Sequence, residues 1–276
     1  MEVSILLRKL AITSAVFLLS LGLIGTGPAA LPQNFAQKSP VPAVFPPLPK
    51  PDPSYHLPVG QTLVFGGEWR VFHAGVVTLR MERAGQEVRV LGAADAAGSV
   101  AVLYHVHDTF EAFLDPSTFC SRNITKHTEE GLRRVETSIT FDYEHHHAVT
   151  EQKNIKKNES RHEEHEIPGC VTDVISAIYY AGSLPLEPGK TVSFPINDGG
   201  NTTTVDLHVE AREQIKTPAG TFNTIRVRPE SPSPMLKQKG KIWVWYTDDA
   251  AHIPVQMRGR LLWGTLTLTL QRIEHN

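Results

Sequence analysis

Alternation of apolar and polar residues, repeated in short segments along most of the chain, constrains the fold more than any other feature of the sequence. Val77, Leu79 and Met81 alternate with polar residues, and the same period of two recurs in residues 202–211 and 261–273. A period of two places the apolar side chains on one face of a β-strand. About a dozen such segments are separated by short turn sequences, which is typical of antiparallel sheets.

A sheet with this many strands is expected to curl or close, because a long flat sheet exposes unpaired edges. We therefore predict a mainly β fold: a strongly curved antiparallel sheet, or an open or closed β-barrel, with one short helix packed on it. The helix is predicted over residues 170–182, where Val171, Val174, Ile175 and Ile178 follow helical spacing. It is too short to be stable alone in water, so its apolar face is expected to pack on the sheet.

Four aromatic residues are candidates for lining a ligand cavity on the sheet. Tyr179 and Tyr180 lie off the main apolar face of the predicted helix, and Trp243 and Trp245 belong to the most aromatic predicted strand. Aromatic side chains bury large apolar areas wherever they occur, so ordinary packing in the core or at its border is the main alternative.

The N-terminal segment is predicted to direct export. Arg8 and Lys9 precede an apolar run over residues 10–24, and small residues follow. This order is typical of a secretory signal peptide, which we assign to residues 1–30. We therefore expect a periplasmic or secreted protein. An uncleaved segment that anchors the chain in the inner membrane is the alternative.

Residues 31–58 are predicted to form a Pro-rich linker, and residues 59–276 a single β-rich domain. Ten prolines lie between Pro28 and Pro58, and so dense a series disfavours both helix and central strand. No segment after the signal is long and apolar enough to span a membrane.

Composition and cysteine content limit the kinds of partner and chemistry expected of the chain. Lys and Arg number 27 against 29 Asp and Glu, which gives no positive field to favour nucleic acid. The two cysteines, Cys120 and Cys170, are predicted to form a disulfide in an oxidising compartment. Their spacing matches no redox or zinc motif, and no nucleophile or phosphate-binding motif is present. We therefore predict no cofactor and no catalytic residue.

A polar insert at residues 144–166 is the strongest candidate for metal chemistry. It contains five histidines and several glutamates, and imidazole and carboxylate groups can bind zinc or nickel. However, adjacent histidines on a strand point to opposite faces, and the spacing does not match H-E-x-x-H. We interpret the insert as one or two exposed edge strands with loops.

Several stretches together resemble an exported bacterial family of unknown function, DUF3108. These stretches are Gly67-Glu68, VTDVISAIYY at residues 171–180, TPAGTF at residues 217–222, and WVWYTDD at residues 243–249 followed by Ile253-Pro254-Val255. The resemblance covers roughly residues 59–276. It implies a β-rich protein of the periplasm or cell envelope and provides no activity or catalytic residue.

Three hypotheses about function follow. The first is a non-enzymatic exported protein whose curved sheet binds an apolar or amphiphilic ligand of the envelope, such as a lipid, since such a sheet has a concave apolar face. The second is a structural or assembly factor of the envelope that acts through protein contacts. The third is a metal-dependent hydrolase that uses the insert at residues 144–166. The oligomeric state is left open.

Overall fold

In the computed structural model, the apolar and polar residues that alternate along the sequence are alternately buried and exposed along the strands. The structure describes residues 45–231, 240–261 and 264–275. Strand β2 (Phe72–Ala84) buries Val77, Leu79 and Met81, and its intervening residues are more exposed. One side of the sheet therefore faces a core and the other faces water.

Within the described residues, fifteen strands form one mixed sheet that does not close. Its order is β8-β7-β6-β5-β4-β3-β2-β1-β15-β14-β13-β12-β11-β10-β9. Neighbours are antiparallel except β9 and β10, which are parallel. The strands besides β2 are β1 (Gln61–Trp69), β3 (Glu87–Ala96), β4 (Val106–Leu114), β5 (Ser121–Glu130), β6 (Arg133–Asp142), β7 (His147–Asn154), β8 (Glu159–Glu166), β9 (Thr172–Asp173), β10 (Thr191–Asn197), β11 (Thr202–Thr217), β12 (Gly220–Glu230), β13 (Lys241–Thr247), β14 (Pro254–Leu261) and β15 (Gly264–His275).

The predicted fold class, a mainly β protein with a large curved sheet, is confirmed. The polar insert at residues 144–166 forms β7 and β8, and β8 is an edge strand. Charged side chains on this edge disfavour pairing with a strand of another chain.

The helical content differs from the prediction in two places. The helix predicted over residues 170–182 is shorter, because Thr172 and Asp173 pair with β10 as β9 and helix α2 begins only at Ser176 (Ser176–Gly182). A second helix, α1 (Gly98–Leu103), was not predicted. Its apolar residues from Val100 onward are of the kind expected at the start of a strand. Gly98 has a φ of +60°, a conformation that glycine adopts without strain and that turns the chain out of β3.

Helix α2 lies against the buried face of the sheet and carries much of the core. Tyr180 packs edge-on to Phe194 with ring centroids 4.9 Å apart, and its other ring neighbour is Phe119 at 5.5 Å. The Tyr246 hydroxyl donates a hydrogen bond to the Ile178 carbonyl at 2.6 Å. Burial of each such ring contributes roughly 1.5–3 kcal/mol, so a helix this short is stabilised by its packing.

Residues 45–58 pack on the same core. The Asp52 backbone N–H donates to the Ser183 carbonyl at 2.6 Å, and the Tyr180 hydroxyl donates to the Pro49 carbonyl at 2.7 Å. Leu48 and Leu57 add apolar contacts. The described part of the predicted linker is therefore held against α2. Residues 31–44 and the predicted signal, residues 1–30, lie outside the described residues.

Among the residues that the structure describes, no helix has the length and apolarity needed to cross a membrane.

Candidate functional site: a buried lysine where the sheet ends meet

The sheet curls until strands from its two ends are in contact. The Ser121 N–H, at the start of β5, donates to the Val171 carbonyl at 2.9 Å, and the Thr150 hydroxyl of β7 donates to the Gly199 carbonyl in the β10–β11 turn. Cys120 and Cys170 form a disulfide beside the first of these contacts, with their Cα atoms 5.3 Å apart. Strands distant in the sheet order thus enclose a common interior.

Lys126 projects into this interior. In β5, residues 124, 126 and 128 share a face, and Ile124 is buried on it. Lys126 is only 6% exposed. Among the described residues, no hydrogen bond or ion pair holds its amine. Burial lowers the pKa of Lys126, against the opposing effect of the Asp173 and Asp198 carboxylates.

Both of those carboxylates already accept hydrogen bonds from other groups. Asp173 accepts from the N–H groups of Ile175 and Ser176 through Oδ1, at 2.8 and 3.0 Å, and from the Ser121 hydroxyl through Oδ2 at 2.7 Å. Asp198 accepts from two N–H groups of its own turn, at 3.1 and 3.0 Å. Asp173 thereby fixes the first turn of α2.

The surroundings of Lys126 combine apolar surface with a few polar atoms. Phe110 lies directly opposite it on β4, and Ile124 of β5 and Ile139 of the neighbouring β6 belong to a buried apolar cluster. Ser176, whose N–H donates to Asp173, is fully buried, and its hydroxyl is without a hydrogen-bond partner among the described residues.

A second buried ionisable side chain, Asp108, lies further along β4, next to β5. Asp108 is 1% exposed; its Oδ1 accepts from the Glu129 N–H at 2.9 Å, whereas its Oδ2 is without a partner among the described residues. Burial, followed by the neighbouring Glu130 carboxylate, raises the pKa of Asp108 to about 7. This carboxyl therefore changes charge near neutral pH.

A comparison with family models matches residues 64–271 to the family described as "Protein of unknown function (DUF3108)". The chain belongs to this family. The match extends from β1 to β15 and so includes every strand that surrounds Lys126. None of the curated proteins matches the sequence at a significant level.

Solved structures resemble this DUF3108 protein at low sequence identity. A beta-barrel-like protein of Brucella abortus, from the unknown-function family DUF1849, has a TM-score of 0.53 and 7% identity, over 79% of this chain and 98% of that one. A Bacteroides fragilis protein described as exported, with a YmcC-like fold, has a TM-score of 0.34 and 9% identity, over 80% and 98%. A Parabacteroides distasonis protein described as a lipoprotein has a TM-score of 0.30 and 11% identity, over 80% and 98%. We draw on the first alone, and only for the fold.

The four aromatic residues predicted to line a cavity do not share one surface in the DUF3108 chain. Tyr179 and Tyr180 are buried on α2, and burial raises the pKa of both hydroxyls. Trp245 and Tyr246 are consecutive in β13 and point to opposite faces; Tyr246 reaches α2, whereas the Trp245 indole N–H donates to Glu213 at 2.7 Å. Trp243 shares the face of Trp245. That any of the four contacts a ligand stays a prediction.

The histidines of residues 144–166 have separate partners. His145 Nδ1 lies 2.7 Å from Asp142, His162 Nε2 lies 3.5 Å from Glu164, and His165 Nε2 lies 2.8 Å from the Asn197 amide. No group of three or more His, Cys, Asp or Glu side chains with metal-binding geometry occurs among the residues that the structure describes.

Sequence reasoning did not identify Lys126. The alternation of Ile124 and Lys126 within one strand was the available signal, since it places the lysine on the face of a buried isoleucine. The burial of Lys126, however, depends on β9 and the β10–β11 turn, which follow it in the sequence by dozens of residues.

Proposed function

We propose that this DUF3108 protein is an exported, non-enzymatic binding protein for an amphiphile whose head group presents an oxygen acceptor to Lys126. The observation that carries the proposal is Lys126, a residue only 6% exposed that has no hydrogen-bond partner among the described residues. A buried polar group without a partner is costly, and a ligand oxygen that accepts from it would remove that cost.

The apolar neighbours suit the rest of such a ligand. Phe110, Ile124 and Ile139 present a ring and branched chains on β5, which carries Lys126, and on its neighbours β4 and β6. Sites that combine apolar walls with a few fixed polar groups are typical of small-molecule binding. A carboxylate, a phosphate and an ester oxygen share the chemistry needed at the amine.

Export is supported by the signal-like residues at the N-terminus and by the Cys120–Cys170 disulfide, since disulfides persist in oxidising compartments. On this basis we propose that the protein acts in the periplasm or cell envelope.

The test is native mass spectrometry of the chain purified from the envelope fraction of an expressing bacterium, followed by organic extraction. We expect a co-purifying amphiphile with the wild type, and its loss from Lys126→Met. Lys153→Met is the matched control, because Lys153 is exposed on β7. A bare protein mass for the wild type would overturn the proposal, as would an equal ligand load in Lys126→Met.

A second function, assembly of the envelope through protein contacts, is favoured by one observation. Helix α2 and residues 45–58 already occupy much of the concave face. If the wild-type chain carries no ligand, this becomes the leading proposal.

A further inference from the structure

One end of the sheet carries an exposed apolar rim. Six large apolar side chains are conspicuously exposed among the described residues, and five of them lie in or next to connections between strands. We define the apolar rim as these five residues: Val71, Phe72, Val102, Leu132 and Ile155. Isolated apolar residues are common on protein surfaces, but clustering at one end of a fold is not.

The topology places these connections at the same end. Strands β1 to β8 are consecutive antiparallel neighbours, so alternate connections lie at the same end of the sheet. The β1–β2, β3–β4, β5–β6 and β7–β8 connections therefore lie together, and α1 belongs to the second of them. The other connections of this half lie at the far end.

Backbone hydrogen bonds join the rim into a continuous edge. The Ala97 N–H donates to Ala74 at 3.0 Å, which ties the start of α1 to β2. The Gly131 N–H donates to His105 at 2.8 Å. The Ile155 N–H donates to the Arg134 carbonyl at 3.0 Å. Neighbouring tips are thus held in fixed relation, and their apolar side chains point into water at exposures of 84–87% for Val71, Val102 and Leu132.

Charge distinguishes this end from the other. The tips at residues 70–71, 131–132 and 155–158 contain Arg70, Lys156 and Lys157 and no Asp or Glu. Glu159, at the start of β8, lies 4.0 Å from Lys157, and Lys156 is exposed in that turn. At the far end of this half, the β4–β5 and β6–β7 connections at residues 115–120 and 143–146 contain Asp115 and Glu144 and no Lys or Arg.

We infer that the apolar rim docks on the surface of an anionic lipid bilayer. Single apolar side chains on separate tips can enter the boundary between head groups and acyl chains, and nearby cations then pair with anionic head groups. Trp69 and Phe72, paired across β1 and β2, add the aromatic character found at membrane interfaces. The acidic far end faces away from the bilayer. This inference does not depend on ligand binding at Lys126.

The test is co-sedimentation with vesicles. The chain is used from residue 31 onward, because the apolar run at residues 10–24 would enter bilayers by itself and the described core lies entirely beyond it. We expect binding to vesicles of phosphatidylcholine and phosphatidylglycerol, weak binding to phosphatidylcholine alone, and release by added salt.

Two variants and two controls identify the surface. V71S/V102S/L132S removes apolar contact and K156Q/K157Q removes charge, and each is expected to weaken binding by roughly tenfold. Val76→Ser is the apolar control, since Val76 is exposed on β2 outside the rim. K50Q/K190Q is the charge control, since both lysines are exposed away from the tips. The two controls are expected to bind like the wild type.

Circular dichroism and thermal unfolding verify that each variant is folded. The inference is overturned if the wild type stays in the supernatant with anionic vesicles at low salt. It is also overturned if a folded V71S/V102S/L132S variant binds as tightly as the wild type, or if the controls lose binding to the same degree as the rim variants.

Discussion

At the scale of single residues, two ionisable groups in the interior around β5, Lys126 and Asp108, are not fully hydrogen-bonded within the part of the chain that the structure describes. Lys126 has no hydrogen-bond partner among the described residues, and one oxygen of Asp108 is in the same situation. Buried polar groups in folded proteins are usually satisfied, so such exceptions indicate either a ligand or a tolerated cost. The two groups are tested differently: Lys126 by substitution alone, and Asp108 by substitution at two pH values.

Replacement of the lysine by methionine distinguishes a binding role from a structural one. We expect Lys126→Met to raise the free energy of unfolding of the ligand-free protein by about 1–3 kcal/mol, because a buried amine without a partner is replaced by an apolar chain of similar length. Urea denaturation measures the change, with exposed Lys153→Met as the control. A loss of stability would show that the amine holds the fold together.

The Asp108 carboxyl is expected to make stability depend on pH. Its pKa is raised from 3.8 to about 7, so the folded protein retains a proton that the unfolded chain releases, and this contribution to stability is lost as pH rises between those values. An asparagine side chain at this position cannot ionise and keeps an acceptor for the Glu129 N–H. Asp108→Asn is therefore expected to exceed the wild type by about 1–3 kcal/mol near pH 8 and to match it near pH 4.

Urea unfolding at both pH values measures this difference. Glu144→Gln is the control, because Glu144 is exposed in the β6–β7 turn. A difference between Asp108→Asn and the wild type that stays constant with pH would contradict the proposed titration.

At the scale of elements, α2 is a junction between the sheet and residues 45–58. Asp173 fixes its start, Tyr246 contacts it from β13, and Tyr180 extends from it to Pro49. A helix of this length depends on such contacts because it is unstable alone.

The contact between Tyr180 and Pro49 can be tested by removing a single oxygen atom. Tyr180→Phe removes the hydroxyl that donates to the Pro49 carbonyl and keeps the buried ring. We expect a loss of about 0.5–1.5 kcal/mol in the free energy of unfolding and faster proteolysis within residues 45–58. If limited proteolysis and stability were both unchanged, residues 45–58 would be held by other contacts.

At the scale of the whole molecule, the fold depends on joining strands that are far apart in the sheet order. The disulfide connects Cys120, before β5, with Cys170, before β9, across a sequence separation of 50. The hydrogen bond from Ser121 to Val171 lies beside it. These links enclose the interior that contains Lys126.

Removal of the disulfide is expected to loosen this junction. We expect C120S/C170S to lose about 2–4 kcal/mol of stability, because the unfolded chain is no longer restrained. Thermal unfolding of the variant should match that of the reduced wild type. An unchanged melting temperature in both would mean that the non-covalent contacts suffice.

The sequence by itself determined the strands, the turns and the family. Alternation with a period of two and tight turn residues are local properties, so the spacing of Val77, Leu79 and Met81 is enough to indicate β2. The same local signals predicted that residues 144–166 form exposed strands. They missed α1, and they were insufficient at β9, where a tertiary contact prevailed and Thr172 and Asp173 pair with β10.

Only the tertiary structure decided which residues form the candidate site and the rim. Lys126 is an ordinary polar strand residue until β9 and the β10–β11 turn cover it. Val71, Val102 and Leu132 are ordinary apolar residues until the order of the strands brings their connections to one end. Burial and proximity between distant segments are set by how the sheet curls, and this depends on contacts that no local pattern encodes.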